Sequence, residues 1–251
     1  MIRSGALFAA GALLASASLA DAQPRRSTRG FLSANPSAVV KAELAFARLA
    51  QEKGQWTAFR ETADKDAVMF APEAVNAQAW LRKRADPPRA VAWQPYRIFV
   101  SRDGGYAAST GPWTQPDGGS GTFTTIWRRQ RDGSFKWLLD FGSDTHVPPR
   151  DDPIIEGKVA DCPARGAGHG PGPGARPLMD GGDRGKRSRP DKQEPVRIAI
   201  PPPPSGEGQS DDGSLRWRWT SGATERVFEV SMHRQGADEP ILRETAPVAA
   251  R

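Results

Sequence analysis

The spacing of apolar residues changes character along the chain, and each change predicts a different element. In "NPSAVVKAELAFARLAQEKG" Val39, Ala42, Phe46 and Leu49 recur at helical intervals. Asn35 suits an N-cap, Pro36 the first helical position and Gly54 a terminator. "QWTAFRETAD" predicts a second, shorter helix that buries Trp56 and Phe59. "AVMFAP" (67–72) predicts a brief strand closed by proline. "NAQAWLRKRAD" (76–86) predicts a third helix with Trp80 and Leu81 inward, stopped by "DPP".

After Pro88 the period becomes two. "AVAWQPYRIFVS" and "YAASTGPWT" flank Asp103-Gly104-Gly105, a hairpin signal, and residues 115–120 form a Gly-rich loop. A second hairpin, "GTFTTIWRRQRDGSFKWLLDFGSD", turns at Asp132-Gly133. Helices first and antiparallel strands afterwards predict an α+β fold, with helices on one face of a curved sheet.

This last hairpin is apolar on both parities. A two-residue turn at Asp132-Gly133 sets Trp127 opposite Leu138 and Ile126 opposite Leu139. Phe135, Trp137, Leu139 and Phe141 then share one face with Ile126, while Phe123 and Trp127 share the other with Leu138. A sheet with one face in water would be polar on that face. Both faces are therefore expected to be covered, one by the helices and the other by a second subunit or the C-terminal segment.

The order of elements resembles the nuclear transport factor 2-like superfamily, with its polyketide cyclase-like (SnoaL-like) and ketosteroid isomerase-like members. "AELAFARLAQEKGQWTAF", "DAVMFAP", "YAASTGPWT" and the closing hairpin carry the resemblance, over residues 35–145. It implies a cone-shaped curved sheet wrapped around the N-terminal helices, with a pocket at the open end. It also implies a homodimer through the outer sheet face. Within the superfamily the chain looks like an exported, uncharacterised branch. The isomerases' base and their Tyr-plus-acid pair have no counterparts aligned in this sequence, which offers only Tyr96 and Tyr106.

Composition and charge refine this picture. The 251 residues, 37% hydrophobic, suit one sizeable core plus a tail. Residues 1–22 read as a signal peptide: Arg3, an uncharged Ala/Leu-rich run and "ADA" at the cleavage site, with the mature chain starting at Gln23. The run is too short and Ala-rich for a membrane span. A periplasmic or secreted location is expected, with no membrane span after cleavage. Residues 23–34 form a disordered lead-in. Residues 146–213 form a Pro/Gly-rich disordered linker, and 214–251 a C-terminal β-hairpin and tail, expected to dock on the outer sheet or on a partner.

The net charge of +6 is spread thinly. Residues 23–34 hold three arginines and no acid, residues 35–146 hold 15 basic against 12 acidic, residues 147–251 hold 16 of each, and Arg3 and Asp21 cancel. No basic stripe exists for a nucleic-acid partner. Cys162 stands alone, so no internal disulfide is expected. His146, His169 and His233 are scattered, and no metal site, cofactor loop or nucleophile elbow is found.

The aromatic content is the chemical signal. Trp56, Phe59, Phe70, Trp80, Tyr96, Trp113 and Trp137 are expected to wall a pocket for an apolar or aromatic small molecule. Asp64, Asp66 and Asp140 are the acids considered. Asp64 and Asp66 fall at a helix-to-strand junction, and Asp140 is expected to point away from the cavity. No residue is assigned a catalytic role. The leading expectation is an exported small-molecule-binding or scaffold domain. The alternatives are a cofactor-independent isomerase, dehydratase or cyclase using a pocket carboxylate, and a protein-interaction module.

Overall fold

The structure is a computed structural model that describes residues 33–145, 154–161 and 205–248. The signal peptide, most of the lead-in, Cys162, His146, His169 and most of the linker lie outside the described residues.

Helix α1 (Pro36–Lys53) starts as its sequence dictates. The Asn35 side chain accepts a hydrogen bond from the Ser37 amide, and Gly54 ends the helix at φ 104°. Its inward stripe is Val39, Glu43, Phe46 and Ala50, so a carboxylate sits in the middle of an apolar face. Helix α2 (Gln55–Thr62) follows directly. Asp86 caps its first turn, accepting from the Thr57 amide at 2.9 Å and the Thr57 hydroxyl at 2.6 Å. Asp86 therefore does not extend the third helix. That helix, α3, covers only Ala77–Leu81, capped by Asn76, against the predicted 76–86.

Strands β1 (Ala63–Phe70), β2 (Ala74–Asn76), β3 (Ala92–Trp93), β4 (Arg97–Val100), β5 (Tyr106–Thr114), β6 (Ser120–Arg129), β7 (Phe135–Ser143) and β8 (Glu156–Val159) form one eight-stranded sheet. Its order is β2-β1-β7-β6-β5-β4-β8, with β3 alongside β5. The β1–β7 and β4–β8 pairs are parallel and the rest antiparallel. Helix α1 touches β7 near one side of the sheet and β3, β4, β5 and β8 towards the other, which requires the sheet to curl around it. The architecture is the expected α+β cone.

The β6–β7 hairpin departs from the predicted register. Its loop is longer than two residues: the Gly133 amide donates to Gln130 O and the Gln130 amide to Ser134 O, with Gly133 at φ 86°. Trp127 pairs with Trp137 and Ile126 with Leu139, leaving Leu138 as an extra residue in a bulge. The Ile126–Leu139 pairing is the expected one, and the bulge moves the residues before it, Phe135 to Trp137, to the opposite face. Trp137 joins Trp127 on the helix side, while Leu138, Leu139 and Phe141 join Ile126 on the other.

The outer face is covered by the chain itself. Strands β9 (Ser205–Gln209), β10 (Leu215–Ser221), β11 (Glu225–Arg234) and β12 (Ala237–Pro247) make a second antiparallel sheet of order β12-β11-β10-β9. Leu215, Trp217, Trp219, Phe228, Val230 and Met232 meet Phe99, Ile126, Leu139 and Phe141 in a second core. Trp217 and Trp219 are only 7% and 5% exposed. Trp219 packs edge-on to Phe70 at 5.2 Å, and Phe228 stacks on Phe141 at 5.5 Å. The expected C-terminal hairpin is present as β10 and β11, docked on the outer sheet and extended on its two sides by β9 and β12. The outer face is thus covered by strands of the same chain.

Two of these strands, β8 and β9, fall within residues 146–213. Strand β8 is held by parallel pairing to β4 more than by apolar burial. Strand β9, "SGEGQ", contributes glycines: a Cβ on Gly206 would come within 2.7 Å of the Trp219 indole, and one on Gly208 would overlap Trp217.

Candidate functional site

A cavity of about 350 Å³ lies between the helices and the sheet's concave face. Phe46 of α1 and Trp56 and Phe59 of α2 form one wall. Met69, Phe70, Trp93, Trp113 and Phe123 close it from the strands. The rings meet edge-to-face, Phe46 lying 4.8 Å from both Phe59 and Trp93, so the wall is a single interlocked aromatic layer.

Four of the seven expected wall residues line this cavity: Trp56, Phe59, Phe70 and Trp113. Three do not. Trp137 is fully buried, and its indole N–H reaches Phe59 O and Thr62 Oγ1, both at 3.1 Å, tying α2 to β7. Trp80 lies beyond Trp56, with ring centroids 5.3 Å apart, and the Arg84 guanidinium sits 3.4 Å over its ring. Tyr96 precedes β4, where its backbone joins β5 and β8. Phe46, Met69, Trp93 and Phe123 are wall residues that the sequence reading did not select.

Asp140 overturns its expected direction: it lines the cavity. The cavity lies on the Phe123 side of the sheet, and there Asp140 pairs with Thr125, whose hydroxyl donates to Asp140 Oδ2 at 2.9 Å. Its remaining accessible surface opens into the cavity. Burial pushes the Asp140 pKa up to about 7; Thr125 opposes this, and the neighbouring carboxyls of Glu43 and Glu244 reinforce it.

Of those two acids Glu43 is buried and Glu244 half-buried. Glu43, 0% exposed, accepts from the Trp93 and Trp127 indoles at 2.8 and 2.9 Å and from the Ser109 hydroxyl. Burial raises its pKa against these three donors. Glu244 lies between the two sheets and accepts from the Thr110 and Thr124 hydroxyls through Oε1, while Oε2 is buried without a partner. Its pKa is also raised by burial.

The other acids considered are structural. Asp64 is buried, yet Arg128 and Gln130 bind its carboxylate and hold its pKa below the ordinary value. Asp66 is exposed and pairs with Lys65. His233 faces Asp238 at 3.0 Å in the second sheet. Among the described residues no group of three or more His, Cys, Asp or Glu side chains could hold a metal ion.

The mouth of the cavity receives a cation from the second sheet. Arg226 of β11 lines it together with Asp144. The Arg226 guanidinium donates to Pro72 O at 2.9 Å and Pro247 O at 3.5 Å. It lies 5.4 Å from the Phe70 ring and 5.7 Å from that of Phe141.

No family model and no curated protein matches the chain. Solved structures similar to it include a candidate ketosteroid isomerase from Parabacteroides distasonis (15% identity, TM-score 0.35, covering 47% of this chain and 98% of that one). A candidate aromatic ring hydroxylase from Novosphingobium aromaticivorans has 14% identity and a TM-score of 0.33, covering 45% of this chain and 90% of that one. A nuclear transport factor 2-like protein of unknown function from Mesorhizobium loti has 19% identity and a TM-score of 0.29, covering 43% of this chain and 90% of that one. Each of these three matches less than half of this chain.

Proposed function

We propose that the protein binds a small, mostly apolar, ring-bearing molecule in this cavity and that Asp140 exchanges a proton with it. One observation carries the reading: a carboxyl group that lines a chamber walled mainly by aromatic rings. Flat aromatic walls bind and orient rings. A carboxyl group that titrates near neutrality serves as a general base above its pKa and as an acid below it. Thr125 fixes one oxygen through its hydroxyl, which leaves the other free to approach the ligand.

The chemistry this permits is proton removal from a weakly acidic carbon beside a carbonyl. The C–H bond breaks, its proton passes to the Asp140 carboxylate, and its electron pair enters the enolate. Return of the proton to the same or another carbon completes exchange or isomerisation. The bicyclic ketone 2-tetralone is a suitable probe, because its exchange in heavy water is followed by proton NMR. The native protein is expected to accelerate exchange, with a rate that rises through about pH 7 and then levels as Asp140 ionises. Asp140→Asn is expected to lose about 100-fold or more of the acceleration. Acceleration unchanged in Asp140→Asn, or absent from the native protein, would remove the proton-transfer role; calorimetry with the same probe then decides whether a purely binding role stands.

A further inference from the structure

We infer that the second sheet supplies the site's anion-recognition group, Arg226, and that the ligand is a small ring-bearing carboxylate. This deepens the binding reading above and rests on it. Arg226 is partly buried, which favours loss of its charge, and Asp144 and Glu73 act against that loss through space. Among the described residues Arg226 makes no salt bridge. Its hydrogen bonds go to two neutral carbonyls, Pro72 O and Pro247 O, and its Nε is buried without a partner.

A guanidinium has five N–H donors in a planar fork that matches a carboxylate. Two carbonyls hold the group in place without neutralising it, and the Phe70 and Phe141 rings lie near it on the cavity side of the second core. A half-buried cation of this kind is satisfied best by an anion brought to it. The aromatic walls fix what carries that anion, a flat apolar ring system of modest size. The carboxylate would sit at the Arg226 mouth with its rings among Phe46, Trp56 and Phe59.

The test uses 2-naphthoate and its uncharged isostere 2-naphthamide, titrated into the full chain by calorimetry. The measurement is made at about pH 6, where an aromatic carboxylic acid is ionised and Asp140 is mostly protonated. The native protein is expected to bind naphthoate about tenfold or more tightly than naphthamide. Arg226→Gln is expected to erase that preference while keeping naphthamide affinity. Arg226 also binds two backbone carbonyls, so a second variant guards against a folding defect. Asp144→Asn, at an exposed position, removes the competing anion and is expected to tighten naphthoate severalfold but not naphthamide. Equal binding of the two probes by the native protein overturns the Arg226 assignment and leaves the aromatic pocket standing. A preference unchanged in Arg226→Gln or in Asp144→Asn also overturns the assignment. Binding of neither probe overturns the pocket reading as well.

Discussion

At the scale of single residues, buried acids set the character of this protein. Asp140, Glu43 and Glu244 are each drawn into low-dielectric surroundings, and none has a cationic partner within ion-pair distance among the described residues. For Asp140 the thermodynamic consequence has a definite sign. Its folded pKa, about 7, lies above the unfolded value near 4, so the folded state binds more protons between these limits. Stability from this group is therefore complete below about pH 4 and is lost as pH rises through 7. Asp140→Asn is expected to gain stability over the native protein on going from pH 4 to pH 8, by about 2–4 kcal/mol, in urea titrations across that range. A difference independent of pH would show that Asp140 titrates normally. Glu43 was invisible to the hydrophobic pattern for a related reason. The sequence shows a charged letter at position 43, and only the fold reveals that two indoles and a hydroxyl converge on it.

At the scale of elements, one inserted residue offsets the two halves of β7. Alternation counted back from the Asp132-Gly133 turn assigns Trp137, Leu139 and Phe141 to a single face and sends Asp140 to the other. The Leu138 bulge breaks that parity, so Trp137 remains inward while Leu139 and Phe141 turn outward. Deleting Leu138 would remove only the extra residue: Trp137 would still pair with Trp127, Leu139 with Ile126 and Asp140 with Thr125. The expected result is a protein that keeps both a sigmoidal thermal transition and Asp140-dependent exchange. Loss of that exchange from a variant that keeps its transition would contradict this account of the bulge. The helices and central strands were legible because period and caps agree: Asn35, Pro36 and Gly54 bracket α1 where expected. Bulges carry no comparable signature, since Leu138 and Leu139 are equally apolar. Strand β9 was illegible for the opposite reason, because its contribution is the absence of side chains at Gly206 and Gly208. Trp56, Phe59, Phe70 and Trp113 were recoverable from aromatic density alone. Telling Trp137 from Trp93 required the fold, because the first is fully buried and the second lines the cavity.

At the scale of the whole molecule, the first sheet is covered twice. The expectation of two apolar faces was correct, and the C-terminal strands fill the place that a second copy was also expected to take. The cavity is thereby a joint product of both sheets, because Arg226 reaches it from β11 and Phe70 belongs to its wall and to the second core alike. A guest that engages Arg226 would act as a brace between the two layers. Opening of β10 and β11 away from the first sheet would have to release the guest. Hydrogen–deuterium exchange should register this as slower exchange in the amides of residues 215–234 when 2-naphthoate is present. At a hundredfold excess over its dissociation constant the added protection should approach about 2.7 kcal/mol. Slowing confined to residues 36–143 would mean that the guest never grips the second layer. If the brace holds, the tail strands are more than a lid over exposed hydrophobic surface: the stiffness of this molecule is set in part by what it carries.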